Sequence, residues 1–481
     1  MGAEAPRRAS ARAEAAGEAA RRYGRTASLL SVAVGATGFI IYLYFSLASH
    51  TLTASEYGDI ATLWLVVFVT VATLYRPIEQ LLSRTIAERH ARTDFRGRPL
   101  KVAAIIQATI AVTITGLCLA LREPIQDELL SDNSTLYWIL VVSVFTYSAT
   151  FFARGFFAGH RRFGLYSAVL LTDAGARIMF PIAAALGIAT GTTVVALGVV
   201  AGPVASLALT PFIVLFVLRG RGAEPDPEPE PEPEGEAEDE AGGALKSPEF
   251  TLSHGSGFAA AVLLIMFTEQ LFLSAGPLMV RVSVGAVAVG FIFNVLMLAR
   301  APIYLFQAVA TSLLPHLTRL RYRPGMEGEE AFRLSVRITL GAVVALAVLV
   351  ALVVLVAGPT LMEIAFGKEF TYDRVGLLIV TAGMGFYLAA ATLNQAALAQ
   401  GQARRAAVCW IACGAAYVGW LAVPVIDEFR RVEIGLALFA AVLCGLLYLV
   451  YRKPHPHAED VIRPGSPQEL EAQLASADEI T

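Results

Sequence analysis

The sequence predicts an all-α integral membrane protein with about twelve transmembrane helices, arranged as two parallel-repeat lobes of six helices around a central cavity. Of its 481 residues, 56% are hydrophobic and 16% are charged, and the mean hydropathy is +0.61. Soluble domains carry about 25% charged residues, so this composition excludes a soluble enzyme. Twelve long apolar runs follow one another along the chain, and an acidic segment divides them into two sets of six.

Each apolar run is long enough to cross a bilayer, because about twenty apolar residues in a helix span its hydrocarbon core of ~30 Å. Helices are expected rather than barrel strands, since the runs are long and uniformly apolar and every backbone amide in lipid must bond within the protein. The predicted spans are 26–55, 60–82, 102–121, 136–157, 165–186, 193–218, 257–280, 286–314, 338–361, 375–399, 406–425 and 434–451.

The spans and the polar segments between them divide the chain into five parts. They are an N-terminal tail (1–26), an N-terminal lobe (27–218), a linker (219–255), a C-terminal lobe (256–452) and a C-terminal tail (453–481). The linker contains AEPDPEPEPEPEGEAEDE, whose alternating proline and acidic residues cannot bury surface and favour an extended chain. We interpret it as a spacer, with a docking site for a regulatory partner as the alternative.

The distribution of Lys and Arg predicts the orientation of the spans. If the N-terminus is cytoplasmic, the cytoplasmic segments carry several times as many Lys and Arg residues as the outer loops. The outer loops then hold Arg122, Arg281, Lys368, Arg374, Arg430 and Arg431. Because positive residues accumulate on the cytoplasmic side, both termini and the linker are predicted to be cytoplasmic.

Two weak internal similarities suggest that the halves are repeats. Setting Gly58 against Gly290 aligns QLLSR at 80–84 with SLLPH at 312–316. Setting Gly159 against Gly401 aligns GHRRF with GQARR. Each half has an even number of helices, so both enter the membrane from the same side and the repeat is parallel. A cavity is expected between two such lobes.

Short motifs resemble those of bacterial polysaccharide flippases. LTASEYGDIA at 52–61, with its Glu-Tyr-Gly core, is similar to the loop after their first helix. RGFFAGHRRF at 154–163 resembles their joint between helices four and five, and Phe293-Asn294, Pro302 and LLP at 313–315 resemble their eighth helix. The chain thus resembles the polysaccharide (O-antigen flippase-like) branch of the multidrug/oligosaccharidyl-lipid/polysaccharide exporter superfamily.

The resemblance implies a transporter of the bacterial plasma membrane that works by alternating access. It would move an undecaprenyl-diphosphate-linked oligosaccharide from the cytoplasmic to the outer leaflet for cell-surface polysaccharide assembly. Its partners would be this glycan, membrane lipids, and a polysaccharide polymerase or glycosyltransferases. Lipid II is not the expected substrate, because its flippases have fourteen helices and a cationic first helix, whereas the run 26–55 carries no charge.

Few charged residues lie deep in the spans, and each is a functional candidate because burying a charge in lipid costs about 3 kcal/mol or more. Arg300 is predicted to bind the lipid diphosphate, and Arg76 is a second substrate-binding candidate. Glu269 is predicted to bind a coupling H⁺ or Na⁺ or to act as a charge partner. The alternatives are a structural Glu269–Arg300 pair and an interfacial role for Arg76. Asp173 and Arg177, at i and i+4, are predicted to form a structural ion pair.

Two other functions stay open. A cation-coupled multidrug exporter of the related branch needs only one buried acid, such as Glu269, and a non-transporting membrane scaffold needs none. The sequence contains no P-loop, HExxH or GxSxG pattern, so we expect neither an ATPase nor another enzyme, and no cofactor. The four cysteines lie in apolar runs, which predicts neither disulfides nor a metal site. A net charge of -3 gives no basic field for nucleic acid.

Overall fold

The fold is all-helical. The computed structural model describes residues 30, 32–92, 99–160, 162–220, 252–300 and 326–453. Helix accounts for 91% of these residues, and they contain no strand. Within the described part of the chain, 11 helical segments are long and apolar enough to cross a membrane, and each overlaps a predicted span. The predicted fold class is therefore confirmed.

The eighth predicted span is described only over its first part, Ala286–Arg300. Its remainder, most of the linker and nearly all of both tails lie outside the described residues, as does Pro302 of the flippase-like motif.

The helices before the linker form what we call the N-terminal lobe, in which α2 and α3 together make one span. They are α1 (Val32–Thr51), α2 (Ala54–Leu74), α3 (Arg76–Arg92), α4 (Pro99–Ala120), α5 (Ser134–Gly159), α6 (Phe163–Ala185) and α7 (Thr192–Gly220). A short π-helical segment, Pro124–Leu129, lies between α4 and α5. Within this lobe α7 packs on α5 and α6, and α3 packs on α5.

The helices after the linker form the C-terminal lobe. They are α8 (Leu252–Ser283), α9 (Ala286–Arg300), α10 (Met326–Phe366), α11 (Arg374–Ala399), α12 (Ala403–Ala422) and α13 (Glu428–Arg452). In this lobe α11 packs between α10 and α13, and α12 packs on α8 and α13. Between the two lobes, α2 packs on α8.

Polar side chains at the helix starts explain where several helices begin. Thr53 and Glu56 form a capping box at the start of α2, in which each side chain accepts a hydrogen bond from the other residue's backbone N–H. At the starts of α5, α11 and α13, the side chains of Asn133, Asp373 and Asp427 accept hydrogen bonds from backbone N–H groups of the first turn. These caps satisfy backbone N–H groups that have no partner inside the helix.

An ion network joins the starts of α11 and α13. Arg430 forms ion pairs with Asp373 and with the buried Glu433. Tyr372 donates its hydroxyl to Glu433. Burial, and then this hydrogen bond, raises the pKa of Tyr372, so its hydroxyl stays protonated and remains a donor. The network supplies the buried Glu433 carboxylate with the partners that its burial requires.

The lobes meet at the end of the molecule where α1 is followed by α2 and α8 by α9. The rings of Phe45 and Phe293 lie 4.6 Å apart between centroids, and those of Tyr57 and Phe370 lie 4.9 Å apart. Ser46 donates a hydrogen bond of 2.6 Å to the Ala365 carbonyl. We call this end the closed end, and the opposite end, where α7 leads towards the linker, the linker end.

The closed end also shows the internal repeat. Gly58 and Gly290 each lie four residues after the first residue of their helix, Ala54 or Ala286. Gly58 lies directly against the backbone of Ala286, and any Cβ at this position would overlap the Ala286 carbonyl. Only glycine therefore allows α2 and α9 to approach this closely.

We predict that Gly58→Ala separates the lobes at the closed end. Overpacking of this kind typically costs about 1–3 kcal/mol, enough to favour other conformations. The measurement is the distance between spin labels on cysteines at Ser55 and Val284, which are both exposed, after replacement of the four native cysteines. The variant should gain a population with longer distances. Gly175→Ala, where a Cβ has open space, is the control and should match the wild type; an unchanged distribution for Gly58→Ala would contradict the prediction.

Candidate functional site

A proline in α8 determines what Arg300 contacts. Pro277 lies inside α8 and has no N–H, so the Leu273 carbonyl one turn earlier loses its helical partner. Arg300 of α9 donates its Nη2 group to this carbonyl. Leu273 is one turn from Glu269, so the interaction holds the guanidinium beside the segment of α8 that carries the acid.

The structure brings together the three charged residues that the sequence indicated. Arg76 is exposed and begins α3, directly after the break at Tyr75. Its charge acts on Glu269 across the lobe interface. Tyr387 of α11 lies within the electrostatic reach of Glu269, Arg300 and Arg76. We call these three charged residues the charged centre; it contains two guanidinium groups and one carboxylate.

The sequence left open a structural ion pair between Glu269 and Arg300 as the alternative to a binding role. None of the ion pairs between described residues joins them. Arg300 instead satisfies a backbone carbonyl of the same helix that carries Glu269. The arginine therefore contributes a structural contact to α8 and brings a positive charge to the same region.

Asp173 and Arg177 lie together inside the N-terminal lobe. Arg177 Nη2 lies 2.8 Å from Asp173 Oδ2 and donates a 2.6 Å hydrogen bond to the Tyr147 hydroxyl. The Arg177 guanidinium also lies 4.8 Å from the centroid of the Trp64 ring. Both members of the pair are buried. Gly202 of α7 packs directly on Asp173, where a Cβ would overlap the carboxylate. These contacts lie within one lobe and tie α6 to α2, α5 and α7.

The sequence reasoning missed an ion pair that joins the lobes at the closed end. Arg281 Nη2 of α8 lies 3.1 Å from Asp59 Oδ1 of α2, and both residues are buried. Arg281 also donates to the Leu129 carbonyl at 2.9 Å and to Ser131 Oγ at 2.8 Å, and Ser131 donates to Asp59 at 2.8 Å. One residue of the C-terminal lobe is thus fixed by three residues of the N-terminal lobe.

The backbone around Ser131 adopts an uncommon conformation. Ser131 and Asp132 both have positive φ angles, 53° and 57°, a region that residues other than glycine seldom occupy. The conformation places the Ser131 hydroxyl between Asp59 and Arg281. Each charge of this pair lies at the edge of a predicted span, where a solvated residue is equally expected, so no sequence signal distinguished it.

Among the residues that the structure describes, no group of three or more His, Cys, Asp and Glu side chains could hold a metal ion. The four cysteines carry free thiols.

No protein-family model matches the sequence, and no curated protein sequence matches it. Several solved structures have a fold similar to that of this chain. A multidrug resistance MATE family transporter of the MOP superfamily, in an inward-facing conformation, has a TM-score of 0.65 at 13% identity, over 88% of this chain and 97% of that one. A MATE transporter from Vibrio cholerae has a TM-score of 0.57 at 14% identity, over 89% and 97% of the two chains.

A MOP superfamily transporter from Pyrococcus furiosus has a TM-score of 0.59 at 15% identity, over 89% of this chain and 95% of that one. Its binding pocket is described as having reverse polarity, which suggests a different function for that protein. Such low identities establish the fold alone, and this chain has the fold of MOP superfamily transporters. The polysaccharide branch that the short motifs indicated stays a prediction.

We predict that Asp173→Ala destabilises the protein strongly, because it leaves the buried Arg177 without a counter-charge. Removing one partner of a buried pair typically costs about 3–5 kcal/mol. The measurement is the thermal unfolding midpoint of the purified protein in detergent, at a fixed scan rate. Combining Asp173→Ala with Arg177→Met should recover most of the loss. Arg122→Ala, at an exposed arginine, is the control, and a single variant as stable as this control would contradict the prediction.

Proposed function

We propose that this protein moves an undecaprenyl-diphosphate-linked oligosaccharide across the membrane by alternating access. The observation that supports it is the composition of the charged centre, in which two guanidinium groups, Arg76 and Arg300, and the Glu269 carboxylate all lie within electrostatic reach of Tyr387. Whether Glu269 is ionised or protonated, the centre keeps net positive charge. Guanidinium groups are always charged and present planar donors that match phosphate oxygens, so the centre suits a diphosphate.

The position of the two arginines between the lobes also suits this substrate. Arg76 belongs to α3 of the N-terminal lobe, whereas Arg300 belongs to α9 and is bonded to α8 of the C-terminal lobe. A diphosphate held by both side chains would contact both lobes at once. Relative movement of the lobes would then change its coordination, which is what a transporter needs to bind its substrate on one side and release it on the other.

With both termini in the cytoplasm, the closed end would face outwards. The conformation would then be inward-facing, open to a substrate from the cytoplasmic leaflet. The similarity to an inward-facing MATE family transporter supports this interpretation. The product would appear in the outer leaflet, where a polysaccharide polymerase or glycosyltransferase would use it.

Cation-coupled multidrug export is the second candidate, and Glu269 favours it. Glu269 lies within electrostatic reach of Arg76, and a carboxylate in such a position can exchange a proton when the surroundings change. The solved structures include multidrug transporters with the same fold. A cationic drug would nevertheless meet two arginines at the charged centre, and like charges repel strongly where water is scarce.

Reconstituted vesicles distinguish the two functions. The full chain in proteoliposomes should move a fluorescent undecaprenyl-diphosphate oligosaccharide between leaflets faster than protein-free vesicles do, as measured by quenching from outside. The same vesicles should not accumulate ethidium under a pH gradient. Ethidium transport without movement of the lipid-linked glycan would overturn the proposal in favour of drug export.

We predict that Arg300→Ala abolishes glycan movement in this assay, while Arg300→Lys keeps part of it because it retains the charge but not the planar fork. The competing explanation is that Arg300 only satisfies the Leu273 carbonyl. Pro277→Ala tests this, because it returns to Leu273 the backbone N–H that the proline lacks.

The double variant Pro277→Ala/Arg300→Ala should therefore be produced at the wild-type level and still fail to move the glycan. Pro277→Ala alone is the control for effects of straightening α8. Recovery of transport in the double variant would reduce Arg300 to a structural residue and contradict the prediction.

A further inference from the structure

One face of α8 carries two buried polar groups without a hydrogen-bond partner among the described residues. Ser274 and Gln270 lie seven and eleven residues before Arg281, two and three turns along the same face. Both are buried, at 2% and 6% exposure. Ser274 Oγ and Gln270 Oε1 have no hydrogen-bond partner within the described part of the chain. Because Arg281 on this face contacts Asp59 of α2, the face is directed towards the N-terminal lobe.

The helix on the other side of the interface has a similar group. Thr73 lies fourteen residues after Asp59, four turns along the same face of α2, and its Oγ1 is buried without a partner among the described residues. Measured along the helices from the Asp59–Arg281 pair, Ser274 lies roughly 10 Å away, Gln270 roughly 16 Å and Thr73 roughly 21 Å. Glu269 lies twelve residues, or roughly 18 Å, from this pair, so Ser274 and Gln270 lie between the closed end and Glu269, and Thr73 lies about level with Glu269.

An unpartnered polar group is unfavourable at this depth. A buried donor or acceptor without a partner loses its hydration and gains nothing, and inside a bilayer no bulk water can replace the lost bond. Alanine at position 274 or leucine at position 270 would fill the same space without this penalty. The polar atoms therefore indicate a partner that arrives when the lobes separate.

We propose that Gln270 and Ser274 of α8, together with Thr73 of α2, bind hydroxyl groups of the sugar attached to the diphosphate; this inference rests on the function proposed above. An amide and a hydroxyl group both donate and accept hydrogen bonds, which matches a neutral ring with several hydroxyl groups. Gln270 is adjacent in sequence to Glu269 of the charged centre. With the diphosphate at that centre, the first sugar lies alongside these side chains, towards the closed end.

Binding of two probes to the purified full chain in lipid nanodiscs tests the proposal. The probes are undecaprenyl diphosphate and undecaprenyl diphosphate carrying one N-acetylglucosamine. The wild type should bind the sugar-bearing probe about tenfold more tightly, as expected for two or so additional hydrogen bonds. Gln270→Leu/Ser274→Ala should lose this preference and keep the wild-type affinity for undecaprenyl diphosphate.

The matched control is Ser143→Ala/Ser167→Ala. These two serines are also buried with hydroxyls that lack partners among the described residues, but they lie on α5 and α6 of the N-terminal lobe. The control should keep the preference for the sugar-bearing probe. The Gln270→Leu/Ser274→Ala variant should unfold at or above the wild-type temperature, because no hydrogen bond is lost. If it does not fold, Ser274→Ala alone, which removes a single oxygen atom, should reduce the preference about threefold.

The outcomes separate this inference from the proposed function. If the wild type binds neither probe, the proposed function is wrong and the inference fails with it. If the wild type binds both probes with equal affinity, or the variant retains the preference, the function stands and the sugar contacts are wrong. Equal loss of affinity for both probes in the variant also overturns the inference, since it would place these residues at the diphosphate.

Discussion

The absence of water from the hydrocarbon core is the constraint on which the rest of this structure depends. It restricts the backbone to helices, because each amide must find its partner within the segment. It also explains the contact between α8 and α9, where Pro277 removes one backbone donor and Arg300 supplies another. The Arg300 side chain that donates to the Leu273 carbonyl also carries a positive charge within the protein. The structural need for this hydrogen bond therefore places an arginine where an anion could bind.

The closed end combines tight packing with an interaction that can be reversed. Gly58 allows close backbone contact, and the aromatic rings around Phe45 and Tyr57 exclude water. The Asp59–Arg281 pair adds modest net stability, because the desolvation of two charges offsets most of their attraction. Both residues lie near the ends of their helices, so both charges can return to water when the lobes separate. The Asp59–Arg281 pair can therefore stabilise the conformation in which the closed end is shut and still allow the conformation in which the lobes are separated there.

The sequence predicted local features, such as the spans and the faces of single helices. It did not predict which segments distant in sequence lie against each other. Long apolar runs predicted the eleven spans that are fully described and the first part of the eighth predicted span. The spacing of Asp173 and Arg177 is enough to place them on one helical face. Helical periodicity identifies a face, but not the helix that packs on it. The proximity of Arg76 to Glu269, and the pair between Asp59 and Arg281, each joins the two halves of the chain. Pro277 could have been recognised in the sequence, because a proline inside a span leaves the carbonyl four residues earlier without its helical hydrogen bond, which another group must then supply.

A fold shared with multidrug transporters leaves the choice of substrate to the site, because function depends on side chains placed on a common framework. Sites for cations need negative charge, whereas this centre has two arginines and one glutamate. The uncharged polar groups next to it cannot compensate a charge, but they can bind hydroxyl groups. A lipid-linked glycan joins an anionic diphosphate to a sugar with several hydroxyl groups. Its negative charge would match the arginines of the charged centre, and its hydroxyl groups would match the uncharged polar side chains next to that centre.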